Sequence, residues 1–280
     1  MSEWRNVQLP PRRIGLMGWL RVLVKGGLMG FVTYAGLAVL LLVRLIERPL
    51  CAQARPVTPY ITQAVCRAVF FILRLPLVVR GTPMMEHGAL VANHASWLDI
   101  FALNAATRMY FVAKSEVEGW AAIGWLARAT GTVFIARKGS AARVQQRLFE
   151  ERLRAGHRLL FFPEGTSTDA VRVLPFKSTL FQAFYTASVE VGLHIQPVTV
   201  IYHSPAGEDA RFYGWWGDLD FAPHLLTVLA APRHGRIEMV FHTPVAVSDF
   251  AGRKELAAYC EEVVRGAHPL VCCQAEGMGP

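Results

Sequence analysis

The sequence predicts an α/β fold in which helices flank both faces of a mixed, largely parallel sheet, preceded by N-terminal membrane-associated helices. Three observations support this prediction. Of the 280 residues, 53% are hydrophobic and only 18% are charged, which is enough for a large buried core and unlike a disordered chain. After Leu75, short apolar runs alternate with helical patterns. Before it, residues 26–43 form a stretch without a single charge.

The candidate strands are seven short runs that are rich in β-branched and aromatic residues. Because these runs are almost continuously apolar, we expect them in a sheet that is covered on both faces. Helical patterns lie between them near residues 97–106, 117–129, 140–155, 178–191 and 253–267. The strand candidates are Leu77–Arg80, Ala89–Ala92, Tyr110–Ala113, Thr132–Ala136, Arg158–Phe162, His194–Tyr202 and Arg236–His242.

The N-terminal part of the chain is predicted to contact a membrane. Residues 1–25 carry five basic residues and one acid, and Arg44, Arg48 and Arg55 follow the uncharged stretch. A single span would place one of these basic flanks on the outer side, which the positive-inside rule disfavours. Two interpretations stay open: a pair of helices that lie on or dip into the cytoplasmic leaflet, or one ordinary anchor helix. The predicted division is residues 1–55 for the basic N-terminus and membrane-associated helix, 56–75 for an amphipathic helix, and 76–280 for the main domain.

Composition and missing motifs exclude several classes of function. Lys and Arg outnumber Asp and Glu by 29 to 21, a formal net charge of +8, and this excess in an apolar chain favours an anionic lipid surface over nucleic acid. The five cysteines form no Cys-x-x-Cys pair, and the histidines lack metal-ligand spacing, so we predict no metal site. Dinucleotide, Walker and Gly-x-Ser-x-Gly motifs are absent from the sequence, and no cofactor is predicted.

His94 and Asp99 are the first candidates for chemistry. His94 follows an apolar strand, at the sheet edge where α/β proteins bind ligands. In one continuous helix a five-residue spacing would set the two side chains about 140° apart. If the helix begins at Ser96, Asp99 points back at the imidazole and holds its tautomer, so that the other ring nitrogen accepts a proton. Ser96-x-x-Asp99 also fits a capping box, in which Asp99 serves only the helix start. Both interpretations stay open.

Other strand ends also carry polar groups. Glu164 and Gly165 follow an apolar strand, where glycine permits a turn whose amides converge on an anion and the carboxylate is placed to orient a hydroxyl. Arg137 and Lys114 end two further strands and suit a phosphate or another anionic head group. Taken singly, each also fits an ordinary turn or a solvated charge at a strand end.

Four blocks of residues, in this order, resemble those of the glycerolipid acyltransferases, the family of the 1-acyl-glycerol-3-phosphate acyltransferases. The resemblance covers about residues 75–205. The blocks are Asn93-His94-x4-Asp99, Arg137 after an apolar strand, Phe162-Pro163-Glu164-Gly165-Thr166 and Gln196-Pro197-Val198.

The resemblance implies that a fatty acyl group moves from an acyl carrier protein or coenzyme A thioester to the hydroxyl of a lysophospholipid, with no cofactor. It implies His94 as the general base and Asp99 as its partner. The first expected acceptor is 1-acyl-sn-glycerol-3-phosphate, which would give phosphatidic acid, at the bacterial inner membrane with the main domain in the cytoplasm. The residues implied in acceptor binding are Arg137, Lys114, Glu164, Gly165 and Thr166.

The sequence departs from the family pattern in two places. Ser167 stands where many relatives have arginine, and Phe176-Lys177-Ser178-Thr179 replaces Phe-Lys-Lys-Gly. These departures, with Trp215-Trp216-Gly217-Asp218, are similar to a bacterial branch that includes lyso-ornithine lipid acyltransferases, which is therefore the alternative acceptor assignment. A membrane lipid or thioester hydrolase that uses the same dyad is the alternative from another enzyme class. A non-enzymatic lipid-binding module held by the basic N-terminus is the third.

Overall fold

One mixed sheet organises the protein, of which a computed structural model describes residues 3–6, 13–52, 54–120, 123–135, 141–185 and 192–269. Eight strands of the described residues run in the spatial order β1-β7-β6-β2-β5-β3-β4, and β8 pairs with β6. From β6 to β4 all neighbours are parallel, whereas β7 and β8 pair antiparallel with β6. The strands are β1 Leu77–Arg80, β2 Gly88–Ala92, β3 Tyr110–Lys114, β4 Val133–Ile135, β5 Leu159–Phe161, β6 His194–His203, β7 Arg236–Phe241 and β8 Val245–Ala246.

Helices cover both faces of this sheet, as the apolar strands predict. Successive side chains of a strand point to opposite faces. Leu90 and Ala92 accordingly join a core with α2, α3 and α6, whereas Ala89 and Val91 join a core with α5 and α7. The predicted three-layer α/β class is confirmed. The helices are α1 Leu16–Cys51, α2 Thr58–Leu73, α3 Leu98–Ala106, α4 Ile123–Thr130, α5 Ala141–Arg154, α6 Phe221–Ala230 and α7 Arg253–Gly266.

Some elements differ from the predicted ones. The region predicted as one helix over 117–129 contains a 3₁₀ segment, Ser115–Gly119, followed by α4. The region 178–191 begins with a 3₁₀ segment, Ser178–Tyr185, and its remainder lies outside the described residues. The sequence patterns also miss α6 and β8. In α6 the cause is an almost wholly apolar run of ten residues, which has no polar face to reveal a helical period.

The N-terminal helices α1 and α2 form a hairpin that packs against the sheet domain. At 1.5 Å per residue, the 36 residues of α1 extend for about 54 Å. By length and composition α1 could cross a membrane, and only 17% of its most apolar 18-residue window is buried. Near its N-terminus, Arg21 and Lys25 donate to the carbonyls of Ala230 and Ala231 at 3.2 and 3.1 Å. The hairpin is therefore fastened to the carbonyl end of α6, where cations are favoured.

Candidate active site

His94 and Asp99 meet in the loop between β2 and α3, at the carboxyl end of a strand that lies between β5 and β6. The imidazole Nδ1 is 2.7 Å from Asp99 Oδ2. The Asp99 side chain is fully buried, and 18% of the His94 side chain is exposed. Among the residues that the structure describes, Nε2 of His94 has no hydrogen-bond partner. A carboxylate on Nδ1 therefore leaves Nε2 open to a proton from a bound molecule.

Asp99 also bonds the backbone at the start of α3, so it does not serve the helix start alone. Its Oδ2 accepts the backbone N–H of Ala95 at 2.8 Å and that of Ser96 at 3.0 Å, in addition to the imidazole. This is the carboxylate half of a capping box. Because His94 lies in the loop and Asp99 in the first turn of α3, one oxygen both shapes the loop and holds the ring.

Tyr202 is a member of the site that the sequence patterns miss. Its hydroxyl donates to Asp99 Oδ1, so both carboxylate oxygens are hydrogen-bonded. Burial, together with the negative charge of Asp99, raises the pKa of Tyr202 well above its usual value, so the phenol remains a donor. The two residues are 103 positions apart and meet only through the sheet. The one local hint is a phenol near the end of a strand that is buried along most of its length.

An aromatic ring restrains the imidazole from the side. Phe162, directly after β5, stacks on His94 with a centroid distance of 4.1 Å and an interplanar angle of 13°. Phe162 in turn stacks on Phe111 of β3 at 5.9 Å. The ring of His94 is thus fixed by the carboxylate at Nδ1 and by an apolar surface on one face.

Glu164 holds the His94 loop from the β5 side of the site. Its Oε1 accepts the backbone N–H of His94 at 2.7 Å, and its Oε2 accepts that of Leu174 at 2.9 Å. Burial raises the pKa of Glu164 to about 8, although these two amide bonds act in the opposite direction. Thr168 donates its backbone N–H to the His94 carbonyl at 2.8 Å. Both backbone groups of His94 are therefore bonded to the segment 164–168.

The turn at Gly165 brings a second unpredicted residue to the site. Gly165 has φ +70°, in the left-handed region that favours glycine, and Lys177 Nζ lies 2.6 Å from the position that a Cβ would take. The Gly165 amide donates to the Phe162 carbonyl at 3.1 Å, so the amide expected to face an oxyanion is used within the turn. Thr166 follows, half-buried. The cation beside this turn is Lys177, 12 residues further along the chain.

Of the two strand-end cations predicted from the sequence, the structure describes Lys114. Lys114 is exposed at the end of β3, at the same edge of the sheet as His94. Because β5 lies between β3 and β2, about 10 Å separates these two strand axes. Lys114 pairs in register with Ile135, the last residue of β4. Arg137 lies outside the described residues.

Buried amide side chains keep β2 and β6 aligned beneath the dyad. Asn93 donates to the Val200 carbonyl at 2.9 Å and accepts the Val200 N–H at 2.8 Å. Gln196 accepts the N–H of Met84 and donates to the His242 carbonyl. The bonds of Asn93 place the Tyr202 end of β6 beside Asp99, whereas Gln196 joins β6 to the segment before β2 and to the residue after β7.

The tryptophan stretch is a packed loop against the dyad loop. Trp215 donates its backbone N–H to the Ala95 carbonyl at 2.8 Å, and Trp216 is buried. The ring of Trp215 packs edge-on against Phe221 of α6, which also contacts Trp97. The loop at Ala95 is thereby linked to α6, the helix on which α1 is fastened.

The chain is similar in sequence to known acyltransferases. The sequence profile of the acyltransferase family matches residues 78–201. A lyso-ornithine lipid O-acyltransferase from Rhodobacter capsulatus is 58% identical over 94% of this chain and 95% of that protein. A 1-acyl-sn-glycerol-3-phosphate acyltransferase from Neisseria meningitidis is 37% identical over 51% of this chain and 55% of that protein.

A solved structure has the same fold. The crystal structure of a 1-acyl-sn-glycerophosphate acyltransferase from Thermotoga maritima aligns with a TM-score of 0.64 at 24% identity, over 89% of this chain and 94% of that one. Sequence identity over nearly the whole length, the matched profile and the shared fold lead to one assignment. The chain belongs to the glycerolipid acyltransferase family, beside the bacterial lyso-ornithine lipid acyltransferases.

Proposed function

We propose that this enzyme transfers a fatty acyl group from a thioester donor to the hydroxyl of a lyso-ornithine lipid. The observation that carries the chemistry is the imidazole of His94, fixed at Nδ1 by a buried carboxylate and unpartnered at Nε2 among the described residues. The acceptor assignment is supported by the 58% identity to the Rhodobacter enzyme. The second candidate acceptor is 1-acyl-sn-glycerol-3-phosphate, which the similarity to the Neisseria enzyme favours.

The mechanism is a direct transfer with His94 as the general base. Asp99 keeps the proton of the neutral imidazole on Nδ1, and Tyr202 holds the carboxylate in place. Nε2 removes the acceptor's hydroxyl proton as its oxygen attacks the thioester carbon. The tetrahedral intermediate collapses, the C–S bond breaks, and the imidazolium returns the proton to the leaving thiolate. The products are an ester and a thiol, with no acyl-enzyme.

Cations around the dyad bind the anionic head group of the acceptor. Lys177 stands beside the Gly165 turn and compensates for the arginine that Ser167 replaces. Lys114 approaches from the end of β3, and we retain Arg137 as a proposed contributor on sequence grounds. The carboxylate of an ornithine head group needs such partners as much as a phosphate does. We propose that Glu164, whose oxygens both accept backbone amides, supports the site by positioning His94.

The enzyme works at the cytoplasmic leaflet of the bacterial inner membrane, with α1 lying along the surface. Large apolar side chains are exposed along the whole of α1, from Leu16 through Phe31 to Leu50. Basic residues flank its apolar middle on both sides, so a span would carry one flank to the outer side. An in-plane helix keeps both flanks at the same headgroup layer.

The test is an acceptor panel assayed with purified full-length enzyme in mixed micelles. Lyso-ornithine lipid and 1-acyl-sn-glycerol-3-phosphate are each offered with acyl carrier protein and coenzyme A thioesters, and products are identified by mass spectrometry. We expect lyso-ornithine lipid to give the higher kcat/KM. Preference for the phosphate acceptor would select the second candidate. Free fatty acid as the main product would identify a hydrolase, and no turnover of any acceptor would favour a lipid-binding module.

A further inference from the structure

An arginine-lined cleft opens between the C-terminal part of α1 and helix α4. Its volume is about 630 Å³. Only part of its wall is apolar, and this part comes from α1 and α4. Its lining includes four arginines and two large apolar side chains: Arg44, Arg48, Arg55, Arg128, Leu41 and Trp125.

The cleft lies at the opposite edge of the sheet from the dyad. The guanidinium of Arg55 lies 5.9 Å from the centroid of the Tyr110 ring, and Tyr110 is the first residue of β3. Tyr110 and Ala89 both align with Leu159, so this level corresponds to the start of β2. His94 is five residues further along the chain, about 16 Å in an extended strand. The cleft is therefore separate from the acceptor site.

Positive charge in the cleft is only partly compensated. Arg44 pairs with Glu47 at 3.2 Å, but this carboxylate also accepts the backbone N–H groups of Val57 and Thr58 and is buried. Among the described residues, no acid lies within ion-pair distance of Arg48 or Arg55.

The arginines of the cleft also repel one another. Arg55 donates to the Ala129 carbonyl at 2.8 Å, which holds its guanidinium at the cleft. Burial, and then the charge of Arg44, lower the pKa of Arg55. Arg128 is about half exposed, and among the described residues it pairs with one acid, Glu118 at 3.7 Å. A bound anion would relieve this repulsion, and guanidinium groups suit phosphate oxygens in particular.

Exposed apolar side chains beside the arginines identify the kind of anion. Trp125 is 63% exposed, and Leu41 and Leu45 are 40% and 73% exposed on the same side of the protein. A tryptophan next to basic residues is the arrangement found at the headgroup level of membranes. We propose that this cleft binds the phosphate of an anionic phospholipid, whose acyl chains lie along Leu41 and Trp125. This lipid is not the acceptor, and the proposal does not depend on which lysolipid is acylated.

The test measures thermal unfolding of the detergent-solubilised full-length protein during titration with short-chain phosphatidylglycerol. The variant Arg48→Gln/Arg128→Gln removes two exposed cations of the cleft. Its matched control, Arg253→Gln/Lys254→Gln, removes two cations from α7 on the other face of the sheet. We expect a saturable rise in Tm for the wild type. The midpoint should be about tenfold higher for the cleft variant, because two charge-assisted contacts are lost, and unchanged for the control.

Parallel titrations separate this lipid from other anions. Inorganic phosphate should leave Tm unchanged, and an equal shift with phosphate would overturn the lipid assignment. Displacement of phosphatidylglycerol by acyl carrier protein would overturn it in favour of a docking surface for the donor. If the midpoint for phosphatidylglycerol rises equally in the cleft variant and the control, the lipid binds by diffuse charge attraction, and the proposal is wrong.

A second variant guards against a folding defect. If Arg48→Gln/Arg128→Gln lowers Tm without lipid, Arg48→Gln alone is used, because the Arg48 side chain is exposed and forms no hydrogen bond or ion pair with the described residues. Unchanged lipid affinity in this variant would contradict the proposal. Acyl transfer in micelles without phosphatidylglycerol should equal that of the wild type. Failure of the proposed function would instead appear as a lack of acyl transfer by the wild type.

Discussion

The loop that carries His94 and the cationic rim around it are built in different ways. Asp99 is fully buried with both oxygens bonded, and the backbone N–H and C=O of His94 are both bonded to the 164–168 segment. Lys114 and Lys177, by contrast, are exposed and extend from a strand end and from the residue before a 3₁₀ segment. Under the proposed function, this difference means that the fold fixes the geometry of proton transfer, whereas longer exposed side chains select the head group.

The largest effect should come from the proton acceptor itself. For His94→Ala we expect kcat to fall by about 10²–10⁴-fold, the usual contribution of a general base. The control is His87→Ala, which removes an exposed imidazole before β2. Initial rates and Tm are measured for both. A folded His94→Ala enzyme with near-normal turnover would contradict the assignment of the base.

Removal of the Tyr202 hydroxyl should lower kcat less than removal of the His94 ring. In Tyr202→Phe, Asp99 loses the donor that holds its Oδ1, so the carboxylate is oriented less firmly towards the His94 ring. We expect kcat to fall about tenfold with KM unchanged, as for loss of a hydrogen bond to a charged group.

The matched control for this prediction is Tyr213→Phe. Tyr213 is buried next to Tyr202 at a centroid distance of 5.5 Å, but its hydroxyl contacts His234 and Gly235 instead of the dyad. Both variants lose one buried hydroxyl. Only Tyr202→Phe should lower kcat with KM unchanged, and an equal fall in kcat in both variants would show that Tyr202 has only a packing role.

A change at the rim should act on binding and not on chemistry. In Lys177→Gln the head group loses one charge-assisted contact, so we expect the acceptor KM to rise about fivefold with kcat unchanged. Lys254→Gln, at an exposed position of α7, serves as the control. A fall in kcat without a change in KM would indicate that Lys177 acts in the reaction and not in acceptor binding.

The smallest effect is a pH dependence of stability that belongs to the loop. With a pKa of about 8, folded Glu164 keeps a proton that the unfolded chain releases near its ordinary value of 4.5. Its contribution to the free energy of unfolding is therefore complete below the unfolded pKa and is lost as the pH rises through the folded one. From about pH 6 to about pH 8, Tm should fall less steeply in Glu164→Gln than in the wild type. Glu262→Gln, an exposed carboxylate of α7, should keep the wild-type slope, and equal slopes in all three proteins would argue against a raised pKa.

Local patterns were sufficient for seven of the eight described strands and for the contact between His94 and Asp99. β1 matches its predicted bounds, because its run is short and apolar and turn residues bound it. His94 and Asp99 could be paired from the sequence since they are five residues apart and a loop-to-helix transition brings them together. The resemblance to acyltransferases supplied the roles that spacing alone left open.

Partners that meet through tertiary structure could not be predicted. Tyr202 reaches Asp99 because β6 pairs with β2 in a register that no local pattern reveals. Lys177 reaches Gly165 by the return of the chain after the turn, over 12 residues without regular structure to read. The sequence suggests that Glu164 orients a hydroxyl, and only its two amide partners in the structure indicate a support for the His94 loop.

The attachment of α1 at Arg21 and Lys25 has a consequence for reach. These cations fasten α1 to the carbonyl end of α6, and α6 contacts Trp97 through Phe221 and His224. If α1 lies along the membrane as proposed, this attachment sets the distance of the His94 imidazole from the membrane surface. Only an alcohol carried at that elevation along a lipid would come within range of the ring.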